Sequence, residues 1–317
     1  MAVYTHLSVD EVNALLAVYD IGAVHAFKGV AEGVENSNYV VEAARGRFIL
    51  TIYEKRVAAD DLPFFVAVIE GLAARGFPAP RPLARRDGSV IARVRGKPAA
   101  LVSFLPGASV AHPNVAQCRA IGAGLARMHK ALNDMPATRA NALGPEAWRR
   151  LLSPRFAEAE ALRPGLADLV RADLEAVTAW PRDLPRGIIH ADLFPDNAHF
   201  IGDDLVGVFD FYFACTDFLA YDLAVSLNAW CFDGPVYNVQ KGAAMIAGYQ
   251  SERALERTEL DALPLLARGA ALRFFATRLV DWIETPADAL VTRKDPLEYA
   301  DKLAFHRSAR GASDYGA

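Results

Sequence analysis

Four polar residues that follow two short apolar runs are the residues of this chain best suited to chemistry. His190, Asp192 and Asn197 follow the first run, and Asp210 ends the second. An aspartate placed beside a hydroxyl group can orient that group and accept its proton. The amide and carboxylate oxygens of Asn197 and Asp210 are hard ligands of the kind that Mg²⁺ takes. The set therefore predicts proton transfer from a hydroxyl group close to a bound magnesium ion.

The spacing of these residues is that of a catalytic loop for phosphoryl transfer. They form H-x-D-x-x-x-x-N, and Asp210 comes thirteen residues after Asn197, as in the catalytic loop and metal-binding aspartate of protein kinases. We predict that Asp192 is the catalytic carboxylate and that Asn197 and Asp210 bind Mg²⁺. We expect His190 to brace the loop by hydrogen bonding. Ordinary turn residues are the alternative, but four polar residues at fixed offsets favour kinase-type chemistry.

A turn rich in glycine and amides precedes a predicted strand and is the candidate for nucleotide binding. Gly33 allows a close approach of the backbone, and Asn36, Ser37 and Asn38 offer amide and hydroxyl groups to phosphates. The turn is neither a GxGxxG loop nor a Walker A loop, so a plain hairpin loop remains the alternative. Farther along, Ser103 to Leu105 could serve as a hinge that offers backbone groups to adenine, and simple core packing is the other interpretation.

One expected residue is missing from the predicted nucleotide site. Thr51 stands at the strand position where a kinase carries its nucleotide-binding lysine. Lys55 and Lys28 are candidate substitutes, although a solvated surface role is favoured for each. Glu70, in the next predicted helix, could act as the kinase helix glutamate, but it has no clear lysine partner.

Hydrophobic periodicity divides the chain into a small α+β part and a larger helical part. A capping box, Ser8 to Glu11, starts the first helix, and apolar runs with a period of two predict an antiparallel sheet. The predicted strands are 39–41, 48–53, 89–91 and 99–102, with a helix over 62–75. Beyond Pro106 we predict helices over 118–132, 157–180, 221–231, 243–250 and 262–283, and frayed residues from 308 onward. We expect an N-terminal nucleotide-binding lobe over 1–102, a hinge over 103–107 and a catalytic and substrate-binding lobe over 108–317.

Composition excludes several classes of protein. The chain has 317 residues, 53% of them hydrophobic, and a formal net charge of −4, which argues against disorder and against a nucleic-acid or membrane-surface binder. Its three widely spaced cysteines contain no CxxC pair, so neither a disulfide scaffold nor a zinc ribbon is expected. No signal peptide or membrane-spanning run is evident. We expect a cytoplasmic protein that is a monomer or a homodimer.

Three segments resemble the homoserine kinases of the aminoglycoside-phosphotransferase-like type. They are HADLFPDN, FDFYFACTDFLAYDLA and GVENSNYVV…GRFILTIYEKR, and the resemblance extends over almost the whole chain. It implies an α+β, two-lobed protein-kinase-like fold and phosphorylation of L-homoserine by ATP and Mg²⁺ in threonine biosynthesis. It also implies that Asp192 is the catalytic carboxylate and that Asn197 and Asp210 are the Mg²⁺ ligands. Threonine at position 51 is a feature of that branch, so it does not imply an inactive enzyme.

A small zwitterionic substrate needs a cation for its carboxylate and acceptors for its ammonium group. Arg273, in an otherwise apolar helix, is the candidate for the carboxylate, and a salt bridge to an internal aspartate is the alternative. Asp217 and Asn228 are candidates for the ammonium group. We expect Asp222 to cap the helix over 221–231 while it supports the catalytic loop.

Two other functions remain open. One is a kinase for another small hydroxylated molecule, such as an aminoglycoside, choline or methylthioribose. The other is a nucleotide-binding regulator that has lost catalysis, which Thr51 favours and which Asp192, Asn197 and Asp210 disfavour. A protein kinase is disfavoured, because Tyr212 replaces the glycine of the DFG motif and no A-P-E segment follows.

Overall fold

The computed structural model describes residues 4–30, 36–54, 59–285 and 293–317. The chain divides into two compact units. The first consists of Met1–Gly107 and Val206–Tyr212, and the second of Ala108–Leu205 and Phe213–Ala317. The first unit holds a small antiparallel sheet and the second is mainly helical, so the predicted α+β class is confirmed. Gly33 and Lys55 lie outside the described residues.

The first unit is built on an antiparallel sheet with the strand order β1-β2-β3-β5-β4. Apolar side chains of the sheet and of helix α1, among them Val12, Leu16, Val41, Leu50 and Leu101, form one buried cluster. The strands are β1 (Val24–Gly29), β2 (Ser37–Ala43), β3 (Gly46–Ile52), β4 (Ala92–Val94) and β5 (Lys97–Ser103), and the helices are α1 (Val9–Leu16) and α2 (Leu62–Ala74).

Most of the predicted elements of this unit are present. Helix α1 begins with the predicted capping box, in which Ser8 and Glu11 each accept a hydrogen bond from the other's backbone amide. Strand β1 is absent from the sequence predictions, because none of its residues is buried and its side chains show no regular apolar alternation. The strand predicted over 89–91 is wrong: these residues follow the turn at Arg86 and Asp87 without strand pairing, and the short strand is Ala92–Val94.

The second unit consists mainly of helices. Its helices are α3 (Val115–Ala131), α4 (Pro145–Leu152), α5 (Phe156–Leu162), α6 (Leu166–Ala176), α7 (Leu219–Trp230), α8 (Val239–Glu252), α9 (Arg257–Glu284) and α10 (Leu297–Ser308). Short strands pair in twos, β6 with β9, β7 with β8 and β10 with β11. They are β6 (Arg186–Ile189), β7 (Ala198–Ile201), β8 (Asp204–Val208), β9 (Cys215–Phe218), β10 (Phe232–Asp233) and β11 (Val236–Tyr237). Within the described ranges, no helix is long and apolar enough to span a bilayer.

Two predictions for the second unit are wrong. The single helix predicted over 157–180 is divided into α5 and α6, because Pro164 cannot continue a helix and Gly165 adopts a left-handed backbone with φ of 81°. The C-terminal residues are ordered rather than frayed. Tyr315 is fully buried, and its hydroxyl lies 2.8 Å from Nδ1 of His306.

Helices α3 and α8 approach each other backbone to backbone. A Cβ atom placed on Gly122 would lie 1.9 Å from the carbonyl oxygen of Met245, and one placed on Gly248 would lie 2.1 Å from that of Arg119. Both contacts are far shorter than any real Cβ contact, so only glycine fits at the two positions.

Candidate active site

The predicted catalytic loop begins where strand β6 ends, and its backbone bends sharply there. Ala191 has φ of 63°, in the left-handed region that side chains other than glycine rarely adopt. The amides of His190 and Ala191 both donate to the carboxylate of Asp222, at 2.7 Å each. Such a conformation persists only where surrounding groups hold it, and Asp222 supplies that hold from helix α7.

Two other helical residues bind carbonyl groups of the same loop. Arg273, on helix α9, donates from its guanidinium to the carbonyl of Ala191. Trp230, at the end of α7, donates from its indole nitrogen to the carbonyl of Leu193 at 2.7 Å. The loop is therefore fixed through its own backbone by side chains far along the chain.

Asp222 is held in its charged form by the groups around it. It is completely buried, and Nε2 of His129, on helix α3, lies 3.0 Å from its carboxylate. Burial by itself would raise the pKa of Asp222, but hydrogen bonds from His129 and the amide of His190, with favourable electrostatic interactions with both imidazole rings, bring the pKa below its ordinary value. An ionised carboxylate is the form that can accept hydrogen bonds from all three donors.

Within the loop, the predicted chemical residues lie close together. The amide nitrogen of Asn197 donates to the carbonyl of Asp192 at 2.8 Å and to its carboxylate at 3.3 Å. The buried ring of His190 accepts a hydrogen bond from the amide of Asp192 at 3.2 Å, a contact that braces the loop. The side chain of Asp192 is 19% exposed, so a substrate can reach it. Because the amide nitrogen of Asn197 is used, its amide oxygen is the atom suited to a cation.

Asp210 lies in the first unit, in a second strained turn. Its φ is 66°, a conformation that aspartate tolerates better than most residues. Nearby, the ring of Tyr212 packs edge-on against Tyr53 and Phe65, with ring centroids 5.5 and 5.7 Å apart. Burial, with smaller contributions from Tyr53 and Asp210, raises the pKa of Tyr212 well above its ordinary value. The segment that carries Asp210 is thus packed against Tyr53, which directly follows strand β3, and against helix α2 of its own unit.

The residues predicted to bind phosphates are engaged with the protein. The hydroxyl of Ser37, which is fully buried, accepts hydrogen bonds from the amides of Tyr4 and Thr5 at 2.8 and 2.9 Å and donates to Glu54 at 2.8 Å. The side-chain oxygen of Asn36 accepts from the amide of Glu54 at 3.2 Å. These two side chains anchor the N-terminal segment and the end of strand β3.

The position of the missing lysine is occupied by a hydrogen-bonded pair. Thr51 donates to the side-chain oxygen of Asn38 at 2.7 Å, and the two residues face each other across β2 and β3. Lys28 is exposed on strand β1, and Glu70 is exposed on helix α2. Lys97, which the sequence analysis did not single out, is paired with Glu54.

The predicted hinge residues lie at the end of strand β5. Ser103 is the last residue of that strand and exchanges hydrogen bonds with Arg81: its amide donates to the carbonyl, and its hydroxyl accepts from the amide, both at 2.9 Å. Leu105 is half-buried. Ser103 also lines a cavity of about 450 Å³ in the first unit, together with Ala73, Gly76, Phe77, Ala79 and Arg81.

The three predicted substrate residues all have protein partners. Asn228 is fully buried, and its amide donates to the carbonyls of Ala224 and Ala267, both at 3.0 Å, while its oxygen lies 2.8 Å from His306. Asp217 accepts from Asn141 at 2.7 Å and from a backbone amide. Of the three, only Arg273 lies at the catalytic loop, and its guanidinium is 3.9 Å from the carboxylate of Asp192.

Sequence reasoning missed part of what holds the loop. The loop-supporting contact expected of Asp222 is present, but the expected helix cap is wrong, because α7 begins at Leu219 and is preceded by Phe218 as its cap residue. The sequence analysis did not single out His129 or Trp230. The only sequence signal for them was a polar group in an apolar helix, which does not identify its partner.

Comparison with known proteins identifies a family and closely similar relatives. The sequence pattern described as "APH: Phosphotransferase enzyme family" matches residues 26–259. Homoserine kinases of Xanthobacter autotrophicus (strain ATCC BAA-1158 / Py2) and of Methylobacterium sp. (strain 4-46) are 55% and 56% identical to this chain. Each alignment covers all of this chain and 99% of the relative.

Solved structures agree on the fold. A structure of an amicoumacin kinase has a TM-score of 0.69 and 17% identity and covers 95% of this chain and 92% of that one. A choline kinase of Cryptosporidium parvum has a TM-score of 0.63 and 14% identity and covers 89% and 88%. These likenesses show a protein-kinase-like fold, and the predicted resemblance is confirmed over the full length. The chain therefore belongs to the phosphotransferase enzyme family.

Proposed function

We propose that this protein is a homoserine kinase, which transfers the γ-phosphoryl group of ATP to the hydroxyl of L-homoserine and so serves threonine biosynthesis. The observation that carries the assignment is identity of 52–56% with curated homoserine kinases along the whole chain. The solved structures, at 12–18% identity, support the fold and do not discriminate between acceptors.

Asp192 is the group that acts on the acceptor hydroxyl. Its carboxylate is partly exposed, whereas the backbone on both sides of it is fixed by Asp222 and Trp230. A carboxylate held in this way can orient the hydroxyl and accept its proton while the hydroxyl oxygen bonds to the γ-phosphorus. The bond from that phosphorus to the bridging oxygen breaks, ADP leaves with the electron pair, and the proton passes from Asp192 to solvent.

The donor groups present suit a magnesium ion. Asn197 offers an amide oxygen and Asp210 a carboxylate, both of which are hard ligands. In the described part of the chain, no group of three or more His, Cys, Asp or Glu residues forms an all-protein metal site. Mg²⁺ commonly binds through one or two side chains and completes its coordination with phosphate oxygens and water. When bound, it would neutralise the charge that develops on the phosphates.

For the nucleotide, the candidates are Asn38, Ser103 and Leu105. We place Asn36 and Ser37 behind them, because these two side chains are buried and hydrogen-bonded, whereas the other three residues are half-buried. Asp217 is kept as the candidate for the ammonium group of homoserine. Since the reaction draws on ATP, we place the enzyme in the cytoplasm, and a monomer or a homodimer remains our expectation.

The deciding experiment is an assay of ADP release with Mg²⁺ and ATP across four acceptors: homoserine, choline, methylthioribose and kanamycin. We expect the highest kcat/KM for homoserine, with phosphohomoserine as the product by mass spectrometry. A higher kcat/KM for another acceptor would replace the assignment by a different small-molecule kinase. Binding of Mg²⁺ and ADP without turnover of any acceptor would favour a nucleotide-binding regulator.

A further inference from the structure

A buried arginine lies directly behind the catalytic carboxylate. The side chain of Arg273 is 3% exposed, and it lies 3.9 Å from the carboxylate of Asp192. Its guanidinium carbon is 5.3 Å from the ring centre of Phe213 and 4.5 Å from that of Phe274. The aromatic rings cover the guanidinium and stabilise its charge through their π faces. A substrate carboxylate therefore has little access to it.

The main hydrogen bond of this arginine goes to the backbone of the loop. Arg273 donates to the carbonyl of Ala191, the residue whose left-handed φ brings Asp192 out of strand β6. Asp222 binds the amide of the same residue. The carboxylate of Asp222 thus binds the N–H group of Ala191, and the guanidinium of Arg273 binds its carbonyl group. Removal of either one frees a strained residue that relaxes readily.

We propose that Arg273 is a positioning residue, which holds the bend at Ala191 and thereby fixes the carboxylate of Asp192, and that it is not the ligand of the substrate carboxylate. The inference rests on the proposed function for its kinetic readout only. Burial of a charged side chain costs desolvation free energy. The need to hold a strained loop explains why an arginine surrounded by hydrogen-bond acceptors and aromatic rings is buried at this position.

Arg278 is a matched control on the same helix. It is also buried, lies 4.5 Å from the ring centre of Tyr299 and pairs with Glu298 at 2.6 Å. Its hydrogen-bond partners are Glu298 of helix α10 and the carbonyl of Asp295, two residues before that helix, and neither lies in the catalytic loop. Loss of this arginine removes a buried cation of the same kind without touching the loop.

The first test is hydrogen exchange of the loop in the full-length protein, without any substrate. Arg273→Gln should speed exchange of the amides in the peptide 190–197 by roughly tenfold or more relative to the wild type. Arg278→Gln should leave that peptide unchanged even if it lowers the melting temperature. Equal acceleration in both variants would overturn the inference, because general loosening would then explain it. So would unchanged exchange in Arg273→Gln.

The second test separates kcat from KM for homoserine. Arg273→Gln should lower kcat by on the order of 100-fold, the effect of a small misplacement of a catalytic group, and change the KM for homoserine by less than about threefold. Arg273→Lys keeps the charge and one donor, so it should recover about a tenth of the wild-type kcat. A large rise in KM with unchanged kcat would overturn the inference and make Arg273 a substrate ligand. If the wild type does not phosphorylate homoserine, the proposed function fails, and the exchange test alone decides the role of Arg273.

Discussion

The catalytic loop and the predicted nucleotide-binding turn, of which the structure describes Asn36, Ser37 and Asn38, both carry several polar residues. The side chains of the two segments form their hydrogen bonds in opposite ways. In the loop, buried side chains from elsewhere bind the backbone, as Asp222 does for His190 and Ala191. In the turn, the side chains of Asn36 and Ser37 themselves bind the backbone of other segments.

This difference indicates which polar side chains of a motif are available to bind a ligand. A side chain that satisfies buried amides cannot leave them without a cost of about 1–3 kcal/mol per group, so it has little capacity to bind a ligand. Asp192 keeps an accessible carboxylate because other residues hold its backbone. Asn228 belongs with the turn residues, since its amide binds two helix carbonyls.

The largest effect should follow removal of the accessible carboxylate. Asp192→Asn should lower kcat by about 10²–10⁴-fold, because the amide cannot accept the proton of the acceptor hydroxyl. The melting temperature should stay close to that of the wild type. Asp196→Asn, in the same loop and 67% exposed, should keep most of the activity. A similar fall in kcat in both variants would contradict the distinction between the carboxylates of Asp192 and Asp196.

The next effect concerns the hold on the loop. Asp222→Asn should lower the free energy of unfolding by about 3 kcal/mol. The buried carboxylate accepts hydrogen bonds on both oxygens, whereas the NH₂ group of asparagine would face a donor in place of one of these acceptors. Urea denaturation measures this loss, and kcat should fall with it. Asp261→Asn, which breaks an exposed pair with Arg257, should cost less than about 0.5 kcal/mol. Unchanged stability in Asp222→Asn would show that the loop does not need this carboxylate.

On the turn, removal of the side chain should affect stability and spare nucleotide binding. Ser37→Ala leaves two amides and a carboxylate without the hydroxyl that binds them, so we expect a loss of about 2 kcal/mol. The KM for ATP should change by less than about twofold. A clear rise in that KM with unchanged stability would place Ser37 at the nucleotide, as the sequence predicted. Ser89→Ala, at an exposed turn, is the control for the loss of a hydroxyl.

The smallest effect concerns pH and the network around Asn228. Burial, aided by the charges of Lys302, Arg268 and Arg307, lowers the pKa of His306 to about 3. In the unfolded chain His306 binds a proton near pH 6.5, whereas in the folded chain it stays neutral down to about pH 3. The free energy of unfolding therefore falls as the pH drops through this window. The slope should approach about 1.4 kcal/mol per pH unit. Urea denaturation at pH 7.5, 6.5 and 5.5 should show a steeper loss in the wild type than in His306→Gln, and equal slopes would contradict the assignment.

The sequence predicted that His190, Asp192 and Asn197 lie together in one loop, because they are neighbours along the chain. Their catalytic and metal-binding roles stay predictions. It also predicted helices α1, α3 and α7 from their apolar periodicity, with small shifts at the ends. It could not predict partners that are distant in sequence. Ser37 binds Tyr4, and Arg273 binds a residue 82 positions away. Nothing in the local pattern around either residue indicates such a partner. The sequence does contain a signal for the break between α5 and α6, the pair Pro164-Gly165. The apolar periodicity on both sides of this pair nevertheless led to the prediction of one continuous helix.

The two glycines at the contact between α3 and α8 limit the mutations that this enzyme can tolerate. They fix the distance between two helices, and across that distance Tyr249 of α8 lies 2.8 Å from His129 of α3, which in turn binds Asp222. A mutation of Gly122 to any larger residue would shift His129 and loosen the catalytic loop without altering a single residue that contacts substrate. Substitution of either glycine should therefore disturb the loop that carries Asp192, although neither glycine has a side chain with which to take part in the reaction.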